Sequence, residues 1–338
     1  MSQTITLQNN QPPVAQFKAL SIDQQIENII KNNKNSTYVH SGSAIKKDIP
    51  TGADPEGVKR IPPTTLNRFK KAGVDLSKGY PAVPEKDKIP VFLDEAFQIR
   101  NTEYPFVERG LNADPKKKAL FGAAEKVINL TSKIGTEIVG LQLADLNEKQ
   151  KDELALLVAE RGVVFFRDQD LSPQKQLELG HYWGQVENHA QVPRVPGLNG
   201  VTVIWQDYTF TTLSFKNNNI GNFDSRFSNF GTITWHSDLV HELQPAGITH
   251  LHNDSIPEVG GDTVWTSGYA AYDKLSPALQ EFLDGKLAVY VSAHGYLDRN
   301  DPFNGPKKIE RTHPIIRTHP ATVWKSLFIK RGFTKIIV

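Results

Sequence analysis

The stretch Gly231-Thr-Ile-Thr-Trp235-His236-Ser237-Asp238, followed downstream by Gly260-Gly261-Asp262-Thr263, decides how this chain is read. In an extended strand, residues two apart point to the same face, so the imidazole of His236 and the carboxylate of Asp238 can grip one metal ion from one side. Two histidines and one carboxylate on one face leave the opposite positions open for a cosubstrate and dioxygen, as in non-haem iron(II) oxygenases. His236 and Asp238 supply two of those three groups, and no third stands out nearby. The same spacing also suits an ordinary hydrogen-bonded pair on a strand, and the tripeptide alone does not choose between the two.

The surroundings of the tripeptide carry more. Trp235-His-Ser-Asp-Leu-Val-His-Glu-Leu-Gln-Pro-Ala-Gly247 is followed by Gly260-Gly-Asp-Thr-Val-Trp-Thr-Ser-Gly-Tyr-Ala-Ala-Tyr-Asp-Lys-Leu-Ser276. Then come His313-Pro-Ile-Ile-Arg-Thr-His319-Pro and Ser326-Leu-Phe-Ile-Lys-Arg-Gly-Phe-Thr334. In content and order these blocks resemble the taurine/alpha-ketoglutarate-dependent dioxygenase family, and within it the fungal sulfonate dioxygenases. The resemblance implies an iron(II)- and 2-oxoglutarate-dependent enzyme that uses dioxygen to hydroxylate a small organic substrate, a sulfonate being expected to release sulfite.

By the same resemblance, His236 and Asp238 stand at the first two iron ligands and Thr263 at the hydroxyl that holds a 2-oxoglutarate carboxylate. His189, in Gly184-Gln-Val-Glu-Asn-His189, stands where the family places a histidine facing an anionic substrate group. The residue types suit these roles: a neutral imidazole and a carboxylate bind divalent iron, and a hydroxyl donates to a carboxylate without adding charge. The family's distal iron-binding histidine and its 2-oxoglutarate-clamping arginine follow a Trp-Asp-Asn-Arg segment that lies past the block ending at Val338. His313 and His319 belong to an earlier block and do not replace that histidine. The resemblance therefore leaves a second reading open: a truncated, catalytically inactive member acting as a ligand-binding or interaction protein.

His250-Leu-His252-Asn-Asp254 offers a rival array, because an i, i+2, i+4 set on a strand can also face one metal ion. The alternation Gly247-Ile-Thr-His-Leu-His-Asn253 reads instead as a scaffold strand. Thiolate sites are excluded, since the chain has no cysteine. That absence also removes any disulfide framework and agrees with a reducing compartment.

With 338 residues, 38% of them hydrophobic, the chain can bury one large core or a core with a small appendage. Lysine and arginine number 39 against 37 acidic residues, a net charge of +2, which gives no reason to expect a nucleic-acid surface. No apolar run approaches the roughly 20 residues of a membrane span, and Met1 to Asn10 does not read as a secretory signal. A cytoplasmic enzyme with a small-molecule substrate, no membrane partner and a tendency to form homo-oligomers is the expectation.

Residues 1–85 are rich in Asn, Lys, Gln, Ser and Pro and read as a disordered extension with one short helix near Asp23 to Ile30. Residues 86–117 read as a linker that wraps the core without regular structure. Residues 118–338 read as the dioxygenase domain. There, Lys126 to Leu143 predicts two strands about a Gly-Thr turn, and Asn147-Glu-Lys-Gln150 predicts a capped helix whose Leu154, Leu157 and Val158 share a face before Gly162 closes it. Val163 to Phe166 predicts a short strand, and Ser172-Pro173 the start of a helix running to Trp183. Further strands are expected at Thr202–Trp205, Thr232–Asp238, Ile248–Asn253 and Thr263–Thr266. With the resemblance, the fold class becomes a mixed, mainly β double-stranded β-helix, a cupin-like jelly roll with flanking α-helices, incomplete at its C-terminus.

Overall fold

Asn147 and Gly162 bracket fourteen residues with every local signal a helix needs, and Glu148–Arg161 is helical. The Asn147 side chain accepts from the Gln150 backbone N–H at 3.0 Å, while the Gln150 side chain accepts from the Asn147 N–H at 3.0 Å. Gly162 then stops the helix at a positive φ of 71° that a side chain would resist. The computed structural model describes residues 58–59, 61–77, 99–189, 194–195, 198, 200–204, 235–256, 262–296, 307–330 and 332–338. The helix expected near Asp23 lies outside the described residues.

In chain order the described helices are α1 (Pro63–Lys71), α2 (Lys118–Ala123), α3 (Glu148–Arg161), α4 (Pro173–Trp183), α5 (Gly268–Asp273) and α6 (Pro277–Leu283). The strands are β1 (Lys126–Asn129), β2 (Thr136–Val139), β3 (Val164–Phe166), β4 (Leu287–Tyr296), β5 (Lys307–Pro314), β6 (Ile316–Thr318), β7 (Lys325–Leu327) and β8 (Thr334–Ile337). β1 and β2 form an antiparallel hairpin, and β3 joins β2 in parallel after the chain has passed through α3. β4 lies between β5 and β8, antiparallel to both, and β6 pairs with β7. The architecture is mixed, with sheets and helices.

The first sheet and α3 share a core of Leu120, Ile138, Leu146, Leu154 and Leu157. Apolar burial drives this packing, at about 25 cal/mol per Å² removed from water. One charged side chain enters it for a specific reason. Glu153 of α3, 3% exposed, accepts the Leu120 and Ala119 N–H groups at 2.6 and 3.3 Å, so its carboxylate caps the start of α2. The second core gathers Val240, Ala288, Tyr290 and Ile315 against the β5-β4-β8 sheet. Tyr290 donates its hydroxyl to the Phe328 carbonyl, which satisfies the one polar atom that this ring carries inward.

Several sequence expectations need correction. Of the four runs expected as strands, the described parts of Thr202–Trp205, Thr232–Asp238, Ile248–Asn253 and Thr263–Thr266 form none, apart from an isolated bridge between Arg194 and Thr202. Alternation supplies a face but not a partner, and a strand exists only where a neighbour takes its N–H and C=O groups. The sequence reading assigns none of the strands that form after residue 286, although β5 alternates between exposed and half-buried positions from Lys308 to Pro314. Helices α5 and α6 went unassigned too, even though Ser276-Pro277 repeats the start signal of Ser172-Pro173. Within the stretch expected to lack order, Pro63–Lys71 is helical.

What holds α1 also settles the rival histidine array. Arg68 of α1 donates to Asp254 at 2.8 Å and to the Leu171 carbonyl at 2.6 Å, and sits 3.5 Å from the His252 ring nitrogen. A guanidinium thus occupies the place between His252 and Asp254 where a cation would bind. His250 points elsewhere, edge-on to Trp183 with ring centroids 5.0 Å apart. The array is structural.

Two outcomes follow from this packing. Glu153→Ala leaves the buried Leu120 N–H and the part-buried Ala119 N–H unsatisfied at the start of α2, and urea unfolding should show a loss of about 1–3 kcal/mol. Burial holds the His250 imidazole down to about 4 from its ordinary 6.5. The unfolded chain therefore binds this proton first, so the stability is fully present above pH 6.5 and is lost as pH falls towards 4. A His250→Phe variant should lose about 2 kcal/mol less than the parent between those limits, measured by denaturation at stepped pH.

Candidate metal centre

His236 and Asp238 come together at the entrance to a turn, not on a strand. Residues 238–241 form the turn, which the Glu242 N–H closes by donating to the Leu239 carbonyl at 2.9 Å. Leu239 takes a φ of 53°, in the left-handed region that costs a side-chain-bearing residue about 1 kcal/mol or more. Val240 compensates: it is 2% exposed in the second core, against Ala288, Tyr290 and Ile315. The turn is thus pinned by an apolar side chain while Asp238 is left facing outward.

His236 Nε2 lies 3.2 Å from Asp238 Oδ1, with the two side chains 48% and 59% exposed. Two adjacent ligands, each about 2.1 Å from a divalent ion, stand about 3 Å apart, so this separation and this donor chemistry fit one metal ion. A hydrogen bond with His236 holds the Asp238 carboxyl below its usual range against the opposing effect of burial; the charges of His236, Lys330 and His189 act in the same direction as the bond. Lys330 is pushed down to about 8 by burial, with Asp238 acting the other way, and its ammonium lies 3.6 Å from the centroid of the Phe333 ring. Among the described residues no group of three or more His, Cys, Asp or Glu converges as a metal site.

Of the residues singled out from sequence, His236, Asp238 and His189 therefore share one electrostatic neighbourhood. Thr263 does not join them by a hydrogen bond. It sits exposed in the irregular run 262–267 that leads into the Ser267 cap of α5. Lys330 was not anticipated in this neighbourhood, because it arrives from 92 positions downstream of Asp238 in the loop after β7.

A buried ionic cluster behind the turn was also missed. Arg100 Nε donates to both carboxylate oxygens of Glu242 at 2.9 and 3.0 Å, and Arg100 Nη2 reaches Oε1 at 2.9 Å. Their side chains are 7% and 3% exposed. His241 Nε2 lies 3.3 Å from the same carboxylate, and His313 Nε2 lies 2.8 Å from the Glu242 carbonyl. Burial pushes the Glu242 carboxyl up, but the hydrogen bond with His241 and the Arg100 charge outweigh it and hold it below its usual range. Glu187 adjoins this cluster, and burial, reinforced by Glu242 and opposed by Arg100, pushes its carboxyl up to about 7. The local sequence gave no pointer, since Arg100 is 142 residues from Glu242.

Comparison with known proteins fits this site into a family. Residues 126–338 match the taurine catabolism dioxygenase TauD, TfdA family. A Schizosaccharomyces pombe protein is 36% identical over 269 residues, covering 78% of this chain and 66% of its own length. The alpha-ketoglutarate-dependent sulfonate dioxygenase of Saccharomyces cerevisiae is 32% identical over 298 residues, covering 84% of this chain and 67% of its own length. The chain thus spans about two thirds of the length of these relatives. A taurine dioxygenase structure from Burkholderia xenovorans aligns with a TM-score of 0.47 at 26% identity, over 63% of this chain and 65% of that one. With the family profile running through both the His236–Asp238 turn and the β4-to-β8 region behind it, this chain belongs to the TauD/TfdA dioxygenase family.

Proposed function

We propose that this chain forms an iron(II)- and 2-oxoglutarate-dependent dioxygenase that hydroxylates a small organic substrate; with a sulfonate, hydroxylation of the sulfur-bearing carbon breaks its C–S bond to leave an aldehyde and sulfite. The observation that carries the reading is the 3.2 Å approach of His236 and Asp238 in a chain of this family. His236 and Asp238 would hold the iron, and the Thr263 hydroxyl would donate to a 2-oxoglutarate carboxylate. When bound, iron supplies the oxidation of 2-oxoglutarate by dioxygen to succinate and carbon dioxide and the accompanying hydroxylation of the substrate carbon.

The chain's own part is binding and orientation. His236 and Asp238 stand on a turn whose outward face is open, so ligands enter without the core being disturbed. His189 and Lys330 both bias the surroundings of Asp238 towards positive potential, which suits an anionic headgroup such as a sulfonate. His189 would face that group as a hydrogen-bond donor. The same reading carries a jelly-roll arrangement for residues 118–338, a linker at 86–117 and a polar extension at 1–85, with self-association and a cytoplasmic setting. Among the described residues no helix is long and apolar enough to cross a membrane.

An anaerobic titration with iron(II) and 2-oxoglutarate should produce the visible charge-transfer band of the bidentate complex, and His236→Ala should abolish it. His250→Ala should leave the band intact at pH 7. In air, a sulfonate should give substrate-dependent succinate and sulfite. If the band forms but no member of a panel of sulfonates, sulfate esters and aryloxy acids yields succinate, the ligand-binding reading replaces the enzyme.

A further inference from the structure

We propose that Arg100 and Glu242 are positioning residues for the metal pair: their buried ion pair holds the turn that sets Asp238 beside His236. This rests on the dioxygenase reading for its functional meaning, and on geometry for its substance. Neither residue touches the metal pair. Glu242 is instead held from three sides, by Arg100 on its carboxylate, by His241 on the same oxygen, and by His313 on its carbonyl.

The hold reaches further along the chain. Gln244 accepts the Tyr104 N–H at 2.8 Å and donates to the Tyr104 carbonyl at 2.8 Å, so the segment 100–104 grips the segment 242–244 at two points. Between that grip and Asp238 stands Leu239 at its left-handed φ of 53°, a conformation that persists only where surrounding contacts over-determine it. Val240 in the core and Glu242 in the ion pair are those contacts. With the ion pair gone, Leu239 can relax to an ordinary φ, and a rotation there turns the Asp238 carboxylate away from His236. Glu187, which feels both Glu242 and Arg100, lies two residues before His189, so the same cluster also borders the segment meant to face substrate.

The test replaces both buried charges at once, Arg100→Met with Glu242→Met, in the full 338-residue chain. Exchanging a buried ion pair for apolar side chains is often neutral for stability, so the melting midpoint should stay near that of the parent. The affinity for iron(II) with 2-oxoglutarate, read from the charge-transfer band, should fall by at least about tenfold, the usual scale for residues behind a metal ligand. Leu239→Asn, which tolerates the left-handed region better, should restore part of that loss. Unchanged affinity in the double variant overturns the proposal. Should the double variant not fold, Glu242→Gln takes its place, and parental affinity in that variant overturns the proposal equally. A parent protein that gives no band refutes the dioxygenase reading. The positioning claim is then judged on amide exchange over residues 238–244, which must accelerate in the variants relative to β4.

Discussion

Arg100 and Glu242 are taken out of water together, and much of the site depends on how well they meet. Removing two charges from solvent costs several kcal/mol each, and only close geometry with further hydrogen bonds offsets it. Here the guanidinium covers both carboxylate oxygens, while His241 reaches one of them. The pair joins chain segments 142 residues apart, one preceding the first sheet and one directly following Asp238. A single broken partner would leave a buried charge unpaired, so the turn has little freedom to drift.

The second core supplies the complementary constraint. Val240, Ala288, Tyr290 and Ile315 exclude water behind the turn, and β4 carries two of the four. Two polar side chains in this region find backbone partners: Ser292 Oγ accepts the Ile309 N–H at 2.9 Å, and Tyr290 donates to the Phe328 carbonyl. Apolar burial thus sets where the turn lies, and the ion pair sets its conformation. His236 and Asp238 remain on the solvent side, with their side chains about half exposed.

The two halves of the described structure were unequally legible. Asn147, Gln150 and Gly162 marked α3 because capping is a local exchange of hydrogen bonds, and Ser172-Pro173 marked α4 for the same reason. The β1–β2 hairpin was legible because both partners are close in sequence. The described parts of the runs expected as strands at 232–238, 248–253 and 263–266 are not strands, because alternation is necessary for a strand but does not provide a neighbour. Pro63–Lys71 escaped notice because its main attachment, Arg68 to Asp254, spans 186 residues.

The sequence by itself determined the family, through ordered blocks around His236, Asp238 and Gly260, and it determined the helices whose ends are chemically marked. It also named the pair of side chains whose types suit a divalent metal. Only the tertiary structure decided that this pair meets on a strained turn and not on a strand, that Lys330 and His189 share its field, and that His252 and Asp254 bind an arginine. The reason is physical: caps and residue types act over a few positions, whereas burial and ion pairing depend on which distant segments the fold brings into contact.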